Sequence, residues 1–231
     1  MRELPVLAPG DIADVPLSWP IVEHRVVGQG KVSTFVSDTV ATPQGESMVR
    51  DYLQHPGAVG IIALDDQERV VVVRQYRHPV GFRLIEPPAG LLDAAGETWL
   101  AAAERELAEE ALLAAGDWRV LTDYLTSPGC LAETLRIFLA RDLRDAPRPD
   151  GFELHGEEAD MDVCLVPLED LVTAVLAGTV QNPTLVAGSL AAYAALRSGR
   201  VDELRAADAP WLAREAAAQR AADLAALDAS A

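Results

Sequence analysis

Residues Glu86–Leu113, EPPAGLLDAAGETWLAAAERELAEEALL, join a proline–glycine turn to a helix that carries Arg105, Glu106, Glu109 and Glu110. Positions i, i+3 and i+4 of an α-helix adjoin on one face, so three carboxylates are crowded together there. Like charges this close repel, and the cluster costs stability unless positive charge sits among them. Arg105 offsets part of that repulsion, and a divalent cation would offset far more. Leu100, Ala103, Leu107 and Ala111 recur at helical spacing and form an inward face, which holds the carboxylates on a docked, rigid element. Oxygen-only ligands suit Mg²⁺ or Mn²⁺, and no nearby pair of Cys or His favours zinc. The plain alternative, a solvated acidic face, accounts for an isolated Glu-Glu pair but not for a pattern of this length.

The stretch resembles the Nudix box, G-x5-E-x7-R-E-U-x-E-E-x-G-U, with U a bulky aliphatic residue. Gly90, Glu97, Arg105, Glu106, Leu107, Glu109 and Glu110 fall on its fixed positions. There are two departures. One extra residue separates Gly90 from Glu97, a form seen in the ADP-ribose pyrophosphatase branch. Leu112 stands where the box ends on glycine, the usual left-handed helix cap, so Gly116 becomes the expected helix stop. The resemblance implies an α/β (α+β) Nudix fold, a mixed β-sheet between helices with an N-terminal antiparallel β extension. It further implies metal ligation by Glu106, Glu110 and the Ala89 carbonyl, with Glu109 assisting. Arg105 and Glu97 would brace the helix and loop of the catalytic centre.

Further resemblances lie outside the box. Gln75-Tyr76-Arg77 is similar to a segment that leads into the family's substrate cleft, and an arginine fork matches phosphate oxygens. Glu86 sits where the family often places a carboxylate of the substrate or metal shell. The TSPGCLAET segment resembles the family's SPG loop, which points to Gly129 and Glu133 near substrate. In HGEEADM, a polar loop before a strand, the ADP-ribose branch supplies the glutamate that positions or deprotonates the attacking water. The string favours Glu158 over Glu157 as the base. A carboxylate beside divalent metals is ionised at neutral pH and still able to act on water.

The remainder of the chain is organised around that centre. With 231 residues, half of them apolar and 24% charged, it is long enough for one packed domain plus an extension. The expected division is residues 1–55 as an N-terminal β extension, 56–205 as the hydrolase domain and 206–231 as a helical tail. Pro5, Pro9, Pro16 and Pro20 break up the start. Val26, Val32, Phe35, Val36 and Val40 then mark short strands, with a turn at Thr42–Gly45. This part resembles the module through which ADP-ribose pyrophosphatases pair, and implies a homodimer. GAVGIIALDD and RVVVVRQYRHP read as strands buried on both faces. WRVLTDYL and LRIFLARDL are strands, the latter with Leu135, Ile137 and Leu139 on one face. LEDLVTAVLAG is a helix closing at Gly178, and a second opens at Asn182 with Pro183 in its first turn. The tail after Pro210 is strongly helix-forming, and Trp211, Leu212, Ala216 and Leu224 are placed to pack.

Composition excludes several classes. A formal charge of −17 argues against a nucleic-acid binder, which would show a basic stripe, and calls for cations and local arginines wherever phosphate is bound. Cys130 and Cys164 imply no disulfide framework. The start lacks an apolar signal core and no run approaches a membrane span, so a soluble, cytoplasmic protein without a membrane partner is expected. The expected reaction is Mg²⁺-dependent hydrolysis of a nucleoside diphosphate linked to another moiety, first among them ADP-ribose, giving AMP and ribose 5-phosphate. Another nucleotide-sugar or dinucleotide substrate, or a nucleotide-binding module without turnover, are the alternatives that this sequence leaves open.

Overall fold

The computed structural model describes Arg2, residues 4–149 and residues 160–228. Among the described residues before Ile21, the proline-rich start has no regular structure beyond a single 3₁₀ turn at Pro9–Asp11. Three strands follow, β1 (Ile21–Gln29), β2 (Thr34–Ala41) and β3 (Ser47–Gln54). They form an antiparallel meander, with Gly45 at φ 86° in the β2–β3 turn.

The centre is a five-stranded mixed sheet. It contains β4 (Ala58–Ala63), β7 (Ala89–Leu91), β8 (Leu113–Leu125), β10 (Thr134–Asp145) and a short β12 (Arg205–Ala206), in the order β12-β8-β10-β4-β7. β10 and β4 are parallel, and the other pairings are antiparallel. A second sheet joins β5 (Arg69–Arg77), β6 (Phe82–Glu86) and β11 (Asp162–Pro167). The short β9 (Leu131–Ala132) runs parallel to β3 and extends the N-terminal meander. β4 is buried along its whole length, as its unbroken apolar run requires. In β10, Leu135, Ile137 and Leu139 face one core, while Phe138 and Ala140 face the other. Burial on both sides explains why that strand shows no clean alternation.

Helices cover the two faces. α1 (Trp99–Ala111) packs on one core through Ala102, Ala103 and Leu107; Leu100 and Ala111 sit half-buried at its margin. α2 (Leu168–Leu176) and α3 (Pro183–Arg197) cover the other. Asn182 caps α3, its side-chain oxygen accepting from the Leu185 N–H at 2.9 Å, with Pro183 in the first turn. α4 (Leu212–Asp228) forms the tail. Trp211 and Leu224 are buried there, but Leu212 is 54% exposed and does not pack as its spacing suggests.

The end of α1 also differs from expectation. The helix stops at Ala111, and Leu112 itself adopts the left-handed conformation, φ 57° and ψ 37°. Its N–H reaches back to the Ala108 and Leu107 carbonyls. Gly116 lies inside β8 instead, where a Cβ would stand 2.1 Å from Asp142 Oδ2. The glycine spacing thus reported a close strand contact, and a leucine carries the cap at a conformational cost of about 1–2 kcal/mol. Cys130 and Cys164 are free thiols. No helix among the described residues is long and apolar enough to cross a membrane.

Candidate active site

A cleft of about 720 Å³ opens between α1, β5, β6 and β7, the 126–133 segment and the start of α3. Several local features build its acidic wall. Pro87 and Pro88 keep the chain extended after β6, and the Pro88 carbonyl accepts from Ile61 N–H at 2.9 Å. β7 then pairs with β4 through Ala89, Gly90 and Leu91. Thr98 caps α1, accepting from Ala101 N–H at 3.1 Å. Two turns later the helix brings Glu106 over the Gly90 backbone. A Cβ at Gly90 would lie 1.9 Å from Glu106 Cδ, so only glycine lets the carboxylate rest there. Glu110 lies one turn on and accepts from the Ala89 N–H at 3.1 Å.

Arg105 organises the charge. Its guanidinium donates to both oxygens of Glu97, at 2.9 and 3.1 Å, to Glu106 at 2.6 Å and to Glu109 at 3.0 Å. The hydrogen bonds to Glu97, against an opposing effect of burial, and the charges of Glu106 and Glu109 raise its pKa well above the ordinary arginine value. Glu109 and Glu110 are each only 8% exposed, so their charge is held in a partly desolvated wall.

Among the described residues no three acidic, His or Cys side chains converge closely enough to hold an ion as they stand. Glu106 and Glu109 are turned onto Arg105, which provides the positive charge that this wall calls for. The donor set nevertheless fits a hard divalent cation: Glu106, Glu109 and Glu110 on one helix, with Ala89 opposite, present oxygen donors alone, and Gly90 leaves room for them.

The rest of the cleft holds a second arginine–carboxylate pairing. Arg77 and Glu86 form a two-pronged pair, 2.6 Å at the shortest, with Glu86 buried. Gln75 lies beside them and is buried as well. Glu133 accepts from Thr126 Oγ1 at 2.7 Å, and its other oxygen is 3.3 Å from His55 Nδ1. The cleft thus gathers Gln75, Arg77, Glu86, Ala89, Arg105, Glu106, Glu109, Glu110 and Glu133. Gly129 is not among its lining residues; it lies exposed in the turn that precedes β9.

Glu157 and Glu158 lie outside the described residues. The chain before them is bonded to α1: Ala146 N–H donates to the Leu112 carbonyl at 2.9 Å, and Arg148 Nε to the Glu109 carbonyl at 3.1 Å. After them, the Asp160 carbonyl accepts from Arg83 at 3.1 Å.

Several cleft residues were not foreseen. His55 follows β3 and carries no motif. Asn182 was legible only as a helix cap, yet the cap places it, Pro183 and Thr184 at the cleft. Thr184 Oγ1 lies 2.9 Å from the Tyr124 hydroxyl, whose pKa is raised by burial.

Comparison with known proteins places the chain in a family and a fold. The NUDIX domain family matches residues 54–186, a span that includes the acidic helix and most of the cleft. An ADP-ribose pyrophosphatase of Mycobacterium tuberculosis is 41% identical over 196 residues, 85% of this chain and 92% of that protein. An ADP-ribose pyrophosphatase of Bacillus subtilis is 34% identical over 154 residues, 67% of this chain and 81% of that protein. Among solved structures, a crystal structure of an ADP compounds hydrolase superposes with a TM-score of 0.64, covering 82% of this chain and 100% of that one. At 21% identity that likeness speaks for the fold.

Proposed function

Because this chain belongs to the NUDIX domain family, we propose that its cleft hydrolyses a nucleoside diphosphate linked to a second moiety, cleaving ADP-ribose to AMP and ribose 5-phosphate. The observation that carries this reading is the gathering, in one cleft, of the α1 carboxylates with Arg77 and Gln75. The protein is a Nudix hydrolase, an enzyme of a family that generally uses a divalent metal. The ADP-ribose assignment draws support from the two ADP-ribose pyrophosphatase relatives.

Glu106, Glu110 and the Ala89 carbonyl are the ligands we assign to Mg²⁺, for which Mn²⁺ would substitute, with Glu109 assisting. The bound cation would neutralise the pyrophosphate and stabilise charge developing on it in the transition state. Arg77, held in place by its two-pronged pair with Glu86, presents positive charge to the pyrophosphate. Gln75 and Glu133 take the sugar or base. Arg105, anchored by Glu97, keeps the carboxylates aligned and screens their repulsion. Glu158, or Glu157 beside it, accepts a proton from the attacking water. A P–O bond to that water forms as the bond to the bridging oxygen breaks.

The same reading includes a homodimer and a cytoplasmic location, where nucleotide conjugates are made. Phe35, Val49 and Leu53 share one face of the N-terminal meander and are 41, 57 and 40% exposed, an apolar surface that a second copy would cover. Light scattering at micromolar concentration should give twice the chain mass; a monomer would contradict the pairing.

The test of substrate is incubation with ADP-ribose and competing nucleotide conjugates, with Mg²⁺ or with chelator, and identification of products by mass. AMP and ribose 5-phosphate should form from ADP-ribose fastest, and only with the cation. Faster cleavage of another conjugate would shift the assignment to that substrate.

A further inference from the structure

Arg136 lies on β10 away from the cleft, and its side chain is wholly buried. Its guanidinium donates to both oxygens of Asp123, at 2.8 and 3.0 Å. It also donates to the Ala209 carbonyl at 2.8 Å and the Pro210 carbonyl at 3.0 Å. Two indole rings flank it: Cζ is 5.6 Å from the Trp99 centroid and 4.8 Å from that of Trp211. The rings meet edge to face, 5.8 Å apart. Trp99 is the first residue of α1, and Trp211 immediately precedes α4.

We propose that Arg136 is a positioning residue for the carboxylate helix: by gripping Trp99 and the Ala209–Trp211 segment together, it sets where Glu106, Glu109 and Glu110 stand toward a divalent cation. The inference rests on the reading of the cleft given above. A buried guanidinium loses its hydration, so the pair it forms adds less to stability than its contacts suggest, although removing it leaves Asp123 and two carbonyls short of a donor. What the guanidinium adds is direction, since its planar fork fixes two carbonyls and a carboxylate at set angles. α1 transmits that direction. Glu106 lies seven residues beyond Trp99, which is about 10 Å along the axis, so a tilt of about 6° at the first turn moves its carboxylate about 1 Å. A displacement of about 1 Å at a reacting centre can change rate by about 100-fold. The tail is held at a second point, because Arg214 donates to the Pro56 carbonyl beside His55 of the cleft. This gives the C-terminal segment a role that its alanine-rich composition does not announce.

The test uses the full chain without substrate. Mn²⁺ affinity is read from the electron paramagnetic resonance of free Mn²⁺, well below the unfolding temperature, for wild type and Arg136→Met. Arg136→Met should bind Mn²⁺ about tenfold more weakly, the size seen when groups supporting metal ligands are removed. Its kcat for ADP-ribose should fall while KM stays within about twofold, because the substrate-orienting wall is untouched. Trp211→Phe guards against loss of folding in the first variant. Trp211 Nε1 makes no hydrogen bond among the described residues, so phenylalanine removes ring area and no bond. That variant should weaken Mn²⁺ binding in the same direction. Wild-type affinity in both folded variants, whatever their melting temperatures, overturns the positioning role alone. Failure of the wild type to bind Mn²⁺ overturns the reading of the cleft together with it.

Discussion

Gly90 lies directly beneath the Glu106 carboxylate, so close that an added Cβ would meet its Oε1 at 1.9 Å. The contact joins the first glycine of the acidic motif to one of its helical carboxylates. Gly90→Ala should therefore push Glu106 aside, with a loss of turnover of about 100-fold from a displacement of about 1 Å. Circular dichroism should remain that of the wild type, because Gly90 lies in the short edge strand β7, at the cleft and outside both cores. Undiminished kcat would mean that Glu106 does not need its observed place.

Leu112 holds a left-handed conformation that costs a branched side chain about 1–2 kcal/mol. Leu112→Gly should raise stability in urea unfolding by about 1 kcal/mol, the strain relieved less the greater entropy of glycine in the unfolded chain. Activity should be unchanged. A stability loss would show that the half-exposed leucine side chain contributes more than its backbone costs.

That position also marks where the sequence was legible and where it was not. The helix, its inward residues Ala103 and Leu107, and the acidic cleft wall follow from spacing alone. Asn182 and Pro183 announce the start of α3 because capping is local chemistry. The cap at Leu112 was hidden because a backbone imposed by the strand that follows overrode the local preference for glycine. His55 and Thr184 reach the cleft only through tertiary packing, as does the grip of Arg136 on two tryptophans remote in sequence. Leu212 has the right spacing for burial but remains 54% exposed. The division of labour among the carboxylates was equally invisible: Arg105 takes Glu106 and Glu109, while Ala89 N–H takes Glu110.

Asp117 offers a test of electrostatics away from the cleft. Burial acts to raise its pKa, but hydrogen bonds and charge from Arg141, at 2.6 and 3.0 Å, with Arg119 beside them, outweigh it and hold the carboxyl below its ordinary value. A depressed folded-state pKa stabilises the fold above the unfolded carboxylate pKa of about 3.9, and that stability is lost as pH falls through the lower folded value. Asp117→Asn should thus melt below wild type at pH 7, by an amount that disappears in strong acid. A gap that is independent of pH would assign the loss to packing.

Glu158→Gln should lower kcat with little change in KM, as expected for a group that acts on water in the transition state. The same pattern in Glu157→Gln, with Glu158→Gln unaffected, would move the base by one residue.

The central claim is that α1 gathers carboxylates to hold a cation against pyrophosphate. Its most direct test is ADP-ribose hydrolysis across a Mg²⁺ titration, for wild type, Glu106→Gln and Glu110→Gln. Each substitution removes one charge and keeps the shape, so both variants should fold and lose turnover by orders of magnitude, without recovery at saturating Mg²⁺. Wild-type kinetics at saturating Mg²⁺ in either variant would contradict that residue's place among the ligands, and in both would contradict the claim itself.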